Sequence, residues 1–155
     1  TVLAATGRPL PELPEGQRLH GVDLLPVLAD ANAPTRDYAI YGQFGKSVSF
    51  TDGEWVLHQS PVADNQPLYW YDYALSKFLH YDLGPYINGR RRVLACESWP
   101  EPTWLSYKPD DMNELHNLAE REPRRLHEMQ RALKDMLVRL GAPSEQLDRL
   151  GLRDL

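Results

Sequence analysis

The stretch ELHNLAEREPRRLHEMQRALKDMLVRLG, residues 114–141, decides how the rest of the chain is read. Leu126, Met129, Leu133, Met136, Leu137 and Leu140 recur at spacings of three and four, which puts them on one stripe of an α-helix. Arg124, Arg125, Glu128, Arg131, Lys134, Asp135 and Arg139 fall mostly on the other side. Pro123 suits the first helical turn, where its missing N–H is not needed. Gly141, followed by Pro143, reads as the stop. A helix of about five turns with one apolar face needs a surface to cover. The alternating segments upstream supply that surface. The expected class is therefore α+β: a small antiparallel sheet of about four strands packed against one long C-terminal helix.

The clearest of those segments is a hairpin. Lys46 to Thr51 alternates, with Val48 and Phe50 on one face. Asp52-Gly53 reads as a two-residue turn, and Glu54 to Gln59 returns. Tyr38 to Tyr41 is a short aromatic strand, broken after by Gly42 and Gly45. Leu68-Tyr69-Trp70-Tyr71-Asp72-Tyr73 is a dense aromatic strand or edge. Asn88-Gly89 marks a second hairpin between Tyr86-Ile87 and Arg90 to Glu97. Thr103 to Tyr107 is the last strand before the helix. Residues 7–37 are rich in Pro and Gly and read as a connecting segment. Within it Asp23 is placed to cap a turn of helix through Leu24 to Leu28, interrupted by Pro26. The expected division is thus a connecting segment, 1–37, and an α+β domain, 38–155.

With 155 residues, the chain is long enough for a domain with a real core. A net charge of −5 leaves no basic footprint for nucleic acid. No apolar run approaches the ~20 residues of a membrane-spanning helix. One cysteine, Cys96, rules out an internal disulfide and a multi-cysteine zinc site. Thr1 to Gly7 reads as the end of a helix already under way, so an N-terminal part is expected to precede this stretch.

Residues able to carry chemistry are few. His20, His58, His80, His116 and His127 show no metal-ligand spacing. Cys96 has neither a neighbouring base nor a helix N-terminus in sequence to lower its pKa. Asp110, Asp111 and Glu114 offer carboxylate oxygens suited to a hard cation, but the alternating ligands of a calcium loop are missing. A solvated turn is the ordinary reading. Tyr69, Trp70, Tyr71, Tyr73, Trp99 and Trp104 are open to two readings, core packing or a wall that stacks on sugar rings. Arg90-Arg91-Arg92 is either a charged hairpin edge or a fork for anionic oxygens.

Trp104 to Tyr107, followed by Asp110 to Ala119 and Pro123, resembles the C-terminal signature of sulfatases. In that family a strand ending in an L-Y-D-like run leads into D-P-x-E-x-x-N-L-A and a long final helix. Glu114, Asn117, Leu118 and Ala119 match in identity and spacing, whereas the Asp-Pro element is reversed as Pro109-Asp110. Thr1 to Gly7 is similar to the family's P-T-[ILV]-L-x-x-[AT]-G segment without its leading residues. Leu19 to Leu28 resembles its G-x-S/D-L-x-P-L-L segment. Ser49 to Leu57 resembles its R-x-G-x-Y-K-L hairpin, with Val56 at the usual lysine. The matches follow the family order. Residues from Leu68 to about 102 look like an insertion of the kind some bacterial sulfatases carry.

The resemblance implies the C-terminal part of a metal-dependent sulfuric ester hydrolase of the alkaline phosphatase superfamily. It implies a formylglycine nucleophile and a divalent cation, usually Ca²⁺, both held in an N-terminal catalytic domain. Cys96-Glu97-Ser98-Trp99-Pro100 does not match the C/S-x-P/A-x-R motif that is modified, so no catalytic or metal-binding residue carries over to this chain. The expected partners are that catalytic domain and a small sulfate ester. Where the domain walls the substrate cleft, the expected contacts are Gln43, Lys46, His58, Tyr69 and Tyr71. A glycan- or protein-binding module and a phosphodiester or phosphonate ester hydrolase are the alternatives.

Overall fold

A computed structural model describes residues 1–16, 19–42, 45–66, 69–72, 92–95 and 101–155, the last two short pieces before 101 by their backbone alone. The chain forms two compact units, Thr1–Ala39 and Ile40–Leu155.

The first unit holds two short helices, α1 (Val2–Ala5) and α2 (Leu25–Ala29). Gly7, at φ 63°, ends α1, and the Arg8 N–H bonds the Leu3 carbonyl at 2.8 Å. The N-cap of α2 is Leu24 rather than the expected Asp23, and it makes no side-chain cap bond; Asp23, one residue earlier, accepts the Leu25 N–H on Oδ1 at 3.0 Å. Thr1 Oγ1 accepts the Leu24 N–H at 2.8 Å, which ties the start of α1 to the entry of α2. Pro26 does not interrupt the helix. It sits in the first turn of α2, where an N–H has no intrahelical partner to lose.

The second unit is α+β. Strands β1 (Ala39–Gly42, which starts at the boundary), β2 (Val48–Thr51), β3 (Trp55–Gln59) and β6 (Trp104–Tyr107) form one sheet in the order β1-β2-β3-β6. The β2–β3 and β3–β6 pairs are antiparallel. Strands β4 (Tyr69–Asp72) and β5 (Arg92–Ala95) form a separate antiparallel ribbon. Thus β5 pairs with β4; the proposed hairpin at Asn88-Gly89 lies outside the described residues.

The turn between β2 and β3 departs from the two-residue expectation. Thr51 pairs with Val56, so residues 52–55 form a four-residue connection. The cause is the Asp52 carboxylate, whose Oδ1 accepts the N–H groups of Glu54 at 3.1 Å and Trp55 at 2.8 Å. That Asx-type turn competes with the tight hairpin turn, and Gly53 takes the φ of 103° it requires. Arg125 pairs with Asp52 and lies over the Trp55 ring at 5.4 Å, fixing the turn to the helix behind it.

That helix is α3 (Pro123–Arg139), and it packs on β3. Met129, Leu133, Met136 and Leu137 are buried as their spacing predicts. On β3, Trp55, Leu57 and Gln59 share a face by strand alternation. Arg125 meets Trp55, and Gln130 meets Gln59, so this is the α3 face of the sheet. Leu57, Leu105 and Leu133 at 0% exposure make its dry centre. Each such leucine contributes about 1.5–3 kcal/mol of transfer free energy.

Gly141, at φ 80°, stops α3, and the Ala142 N–H bonds the Leu137 carbonyl at 2.9 Å. The long helix is not the last element. A short helix, α4 (Ser144–Arg149), follows, and Leu150 and Leu152 behind it are buried in the same unit. The described helices include none long and apolar enough to cross a membrane.

Candidate functional site

The sheet face away from α3 carries Ser49, Thr51, Val56, His58, Trp104 and Ser106. The register aligns Ser49 with His58 and His58 with Trp104 in one row across β2, β3 and β6. The row is polar at its centre. His58 Nδ1 lies 2.7 Å from Ser49 Oγ. His58 Nε2 lies 2.5 Å from Glu114 Oε2. Glu114 Oε1 in turn holds the ammonium of Lys108. From β1, the Tyr41 ring meets the His58 ring edge to face, with centroids 6.4 Å apart and planes at 82°.

Glu114 is brought to the sheet by the segment that follows β6. The Lys108 N–H extends the β3–β6 ladder by bonding the Glu54 carbonyl at 2.8 Å. The chain then turns tightly, with Asp111 N–H on the Tyr107 carbonyl at 3.0 Å and Glu114 N–H on the Asp111 carbonyl at 3.1 Å. Glu114 has φ 55°, the one positive value at a non-glycine residue among the described residues. Left-handed backbone costs an L-residue roughly 1–2 kcal/mol. Its carboxylate contacts with His58 and Lys108 hold it there.

The electrostatics follow from these contacts. Partial burial pushes the Glu114 carboxyl up, but hydrogen bonds from Lys108 and then His58 outweigh it, and the group titrates below the ordinary carboxylate value. Burial, and then the nearby Glu114 charge, raise the Tyr41 phenol. Tyr41 therefore stays neutral and Glu114 stays ionised at neutral pH. Glu114 and Lys108 are about one-fifth and one-quarter exposed at the side chain, so the cluster meets solvent.

Of the contacts expected from sequence, His58 stands at the centre of this cluster. Lys46 lies in the bend that leads into β2 and is half-buried. Gln43 lies outside the described residues. Tyr69 and Tyr71 are placed by their backbone, opposite Ala95 and Val93 in the β4–β5 ribbon. Cys96, His80, Arg90 and Arg91 lie outside the described residues. Of the carboxylates weighed as a cation site, Asp111 and Glu114 are engaged otherwise. Asp111 Oδ2 accepts the His116 N–H at 2.8 Å, and Glu114 is taken by Lys108 and His58. No group of three or more His, Cys, Asp or Glu side chains gathers for a metal among the described residues.

Ser49, Glu114, Lys108 and Tyr41 were not expected at the site. A two-residue turn at Asp52-Gly53 would have put His58 opposite Ser47. The four-residue connection slides the register and gives it Ser49 instead. The acidic capacity of Asp52 was the available signal.

Matching this chain against protein-family models and against curated proteins finds no match.

Proposed function

We propose that this chain is the C-terminal domain of a sulfatase-like sulfuric ester hydrolase, and that its polar sheet face walls one side of the substrate cleft. One observation carries the reading. Glu114, from the segment most like the family signature, reaches the row formed by Ser49 and His58, at the hairpin that also resembles the family. Two separately matched pieces of sequence thus meet in one partly exposed polar cluster.

In this reading the formylglycine and the divalent cation belong to a catalytic domain upstream, and together they would activate the nucleophile and stabilise the sulfate oxygens. Asp111 and Glu114 are already engaged by His116 and by His58 and Lys108, so no cation is assigned to them. The chain's own contribution is positioning. Lys108 supplies a positive charge, His58 and Tyr41 supply hydrogen bonds, and Gln43, Lys46, Tyr69 and Tyr71 are further candidates along the wall. Relatives with phosphodiester or phosphonate ester substrates would use the same wall. The aromatic β4–β5 ribbon, a sheet of its own, favours a second reading as a glycan-binding surface.

The test is hydrolysis of a generic aryl sulfate by the complete protein that carries this chain, with and without a chelator. Turnover that needs the cation, and falls when Lys108 or His58 is replaced by alanine, is the expected result. Failure to hydrolyse sulfate, phosphate or phosphonate esters, together with retention on a glycan column, would replace it with the binding-module reading.

A further inference from the structure

The polar sheet face is a donor surface that holds a carboxylate. By strand alternation Trp104, Ser106 and Lys108 point to one side of β6 and its extension, the side on which His58 stands in β3. An ionised carboxylate only accepts hydrogen bonds, so both partners of Glu114 here are donors. Its Oε1 receives the Lys108 ammonium, and its Oε2 receives His58 Nε2 at 2.5 Å. On the same face Trp104 Nε1 and Ser106 Oγ are buried, with Ser106 at 0% exposure, and neither has a hydrogen-bond partner among the described residues. The face thus offers more donors than this carboxylate takes up.

Host and guest are held unequally. His58 is fixed by the ladders of β3 and by Ser49 Oγ, 2.7 Å from Nδ1. Lys108 is fixed by its N–H on the Glu54 carbonyl at 2.8 Å and by its ammonium on the Met112 carbonyl at 3.0 Å. Glu114 is held more lightly. Its N–H bonds the Asp111 carbonyl at 3.1 Å, but the side chains of Met112 and Leu115 beside it are 71% and 69% exposed, so packing does not hold the turn down there. Its backbone at φ 55° opposes the placement as well. The Glu114 carboxylate also meets solvent, and Tyr41, beside His58, is 48% exposed.

We propose that Lys108 and His58 form a carboxylate-binding seat, which Glu114 fills as an internal stand-in and yields to the carboxylate of a ligand. The ligand carboxylate takes the two bonds that Glu114 gives up, and the Glu114 side chain turns out to solvent. The exposed side chains of Tyr41, Met112 and Leu115 stand around the seat, so the ligand that fits is a small carboxylate on an aromatic or other apolar body. Because the seat must first be vacated, the apparent affinity is that of the open seat reduced by the fraction of molecules in which it is open. The seat rests on geometry alone. That its ligand is the substrate of a hydrolase rests on the cleft reading above.

Benzoate is the probe, titrated into the intact protein at neutral pH and constant ionic strength, with the Glu114 carboxyl ¹³C and His58 ring ¹⁵N signals followed by NMR. Both should shift saturably, the first toward the position of a solvated glutamate. Glu114→Ala should bind benzoate on the order of tenfold tighter than the wild type, because its seat is already open. Glu114→Gln keeps the shape of the side chain, loses its charge and should also bind tighter, which guards against a folding defect in the alanine variant. Lys108→Ala should lose saturable binding. A wild type without saturable shifts, equal or weaker binding in both Glu114 variants, or binding retained in Lys108→Ala overturns the seat. Benzenesulfonate, with the same ring and a less basic, three-oxygen head, should bind more weakly, and equal binding overturns the choice of a carboxylate. In the complete protein that carries this chain, a phenyl sulfate bearing a ring carboxylate should show a KM on the order of tenfold below that of phenyl sulfate, and the difference should vanish in Lys108→Ala. Equal KM values overturn the substrate assignment. Turnover of neither compound sinks the hydrolase reading, while the benzoate titration still decides the seat.

Discussion

The side chain of Asn117 stands in for a missing strand beside Leu105. Its Oδ1 accepts the Leu105 N–H at 3.0 Å, and the next residue, Leu118, returns an N–H to the Leu105 carbonyl at 2.7 Å. The same amide accepts the Ala119 N–H at 3.0 Å and donates to the Thr103 carbonyl at 3.0 Å. The outer edge of β6 is thereby satisfied without another strand. Asn117→Ala removes these bonds and should cost about 1–3 kcal/mol in urea unfolding. Asn117→Asp should also destabilise at neutral pH, because it sets a carboxylate oxygen against the Thr103 carbonyl. An unchanged midpoint in both variants would mean that solvent satisfies this edge equally well.

Glu114 sets two effects against each other, and two substitutions separate them. Glycine removes the left-handed penalty at φ 55° together with the carboxylate. Alanine removes the carboxylate and keeps the penalty. Both should be less stable than the wild type, since His58 and Lys108 lose their partner. Glu114→Gly should nevertheless be more stable than Glu114→Ala by about 1 kcal/mol. Equal stabilities would show that the backbone relaxes out of the left-handed region once the carboxylate is gone.

The elements of the second unit were legible because their signals are periodic. The spacing of Met129, Leu133, Met136 and Leu137 needs one face buried, and Gly141 can adopt a stop that other residues resist. The site was less legible because it depends on register. The Asp52 carboxylate lengthens the hairpin loop, and that alone decides that Ser49 rather than Ser47 meets His58. Glu114 is far from His58 in sequence, and no local pattern announces their contact. The segment after Gly141 held a further surprise. Leu150 and Leu152 are core residues, but a short helix of six residues carries too few repeats for periodicity to declare it.

Stability should fall in acid by way of Glu114. Its folded carboxyl titrates below the ordinary value of 4.5, since bonds from Lys108 and His58 outweigh burial. The folded state therefore holds fewer protons there than the unfolded chain. This stabilisation is fully present above about pH 4.5 and is lost as pH falls through the folded value. Asp111, lowered by backbone N–H groups of Leu115 and His116, acts in the same sense. Tyr41 works at the other end. Its phenol is raised above 10.0, so its stabilisation is present below that pH and is lost as pH rises through the folded value. Unfolding free energy measured against pH should have a shallower acid limb in Glu114→Gln than in the wild type. Identical acid limbs would contradict the Glu114 assignment.

Gln59 joins three elements on the buried side of the sheet, and its removal should loosen all of them together. From β3, its Nε2 donates to the Leu150 carbonyl at 2.9 Å, just past α4. Its Oε1 accepts from Gln130 Nε2 of α3 at 2.9 Å. With the residue 6% exposed, water is poorly placed to replace either bond. Gln59→Ala leaves the Leu150 carbonyl and the Gln130 amide without this partner and opens a cavity between β3 and α3. A loss of about 2–4 kcal/mol follows from adding an unsatisfied buried group to the missing packing. Gln130→Ala removes only one of the bonds from a half-buried position and should cost less. The cycle of both substitutions should show coupling of about 0.5 kcal/mol or more, as expected for side chains in direct contact. Strict additivity would mean that the Gln59–Gln130 bond contributes nothing to holding α3 on the sheet.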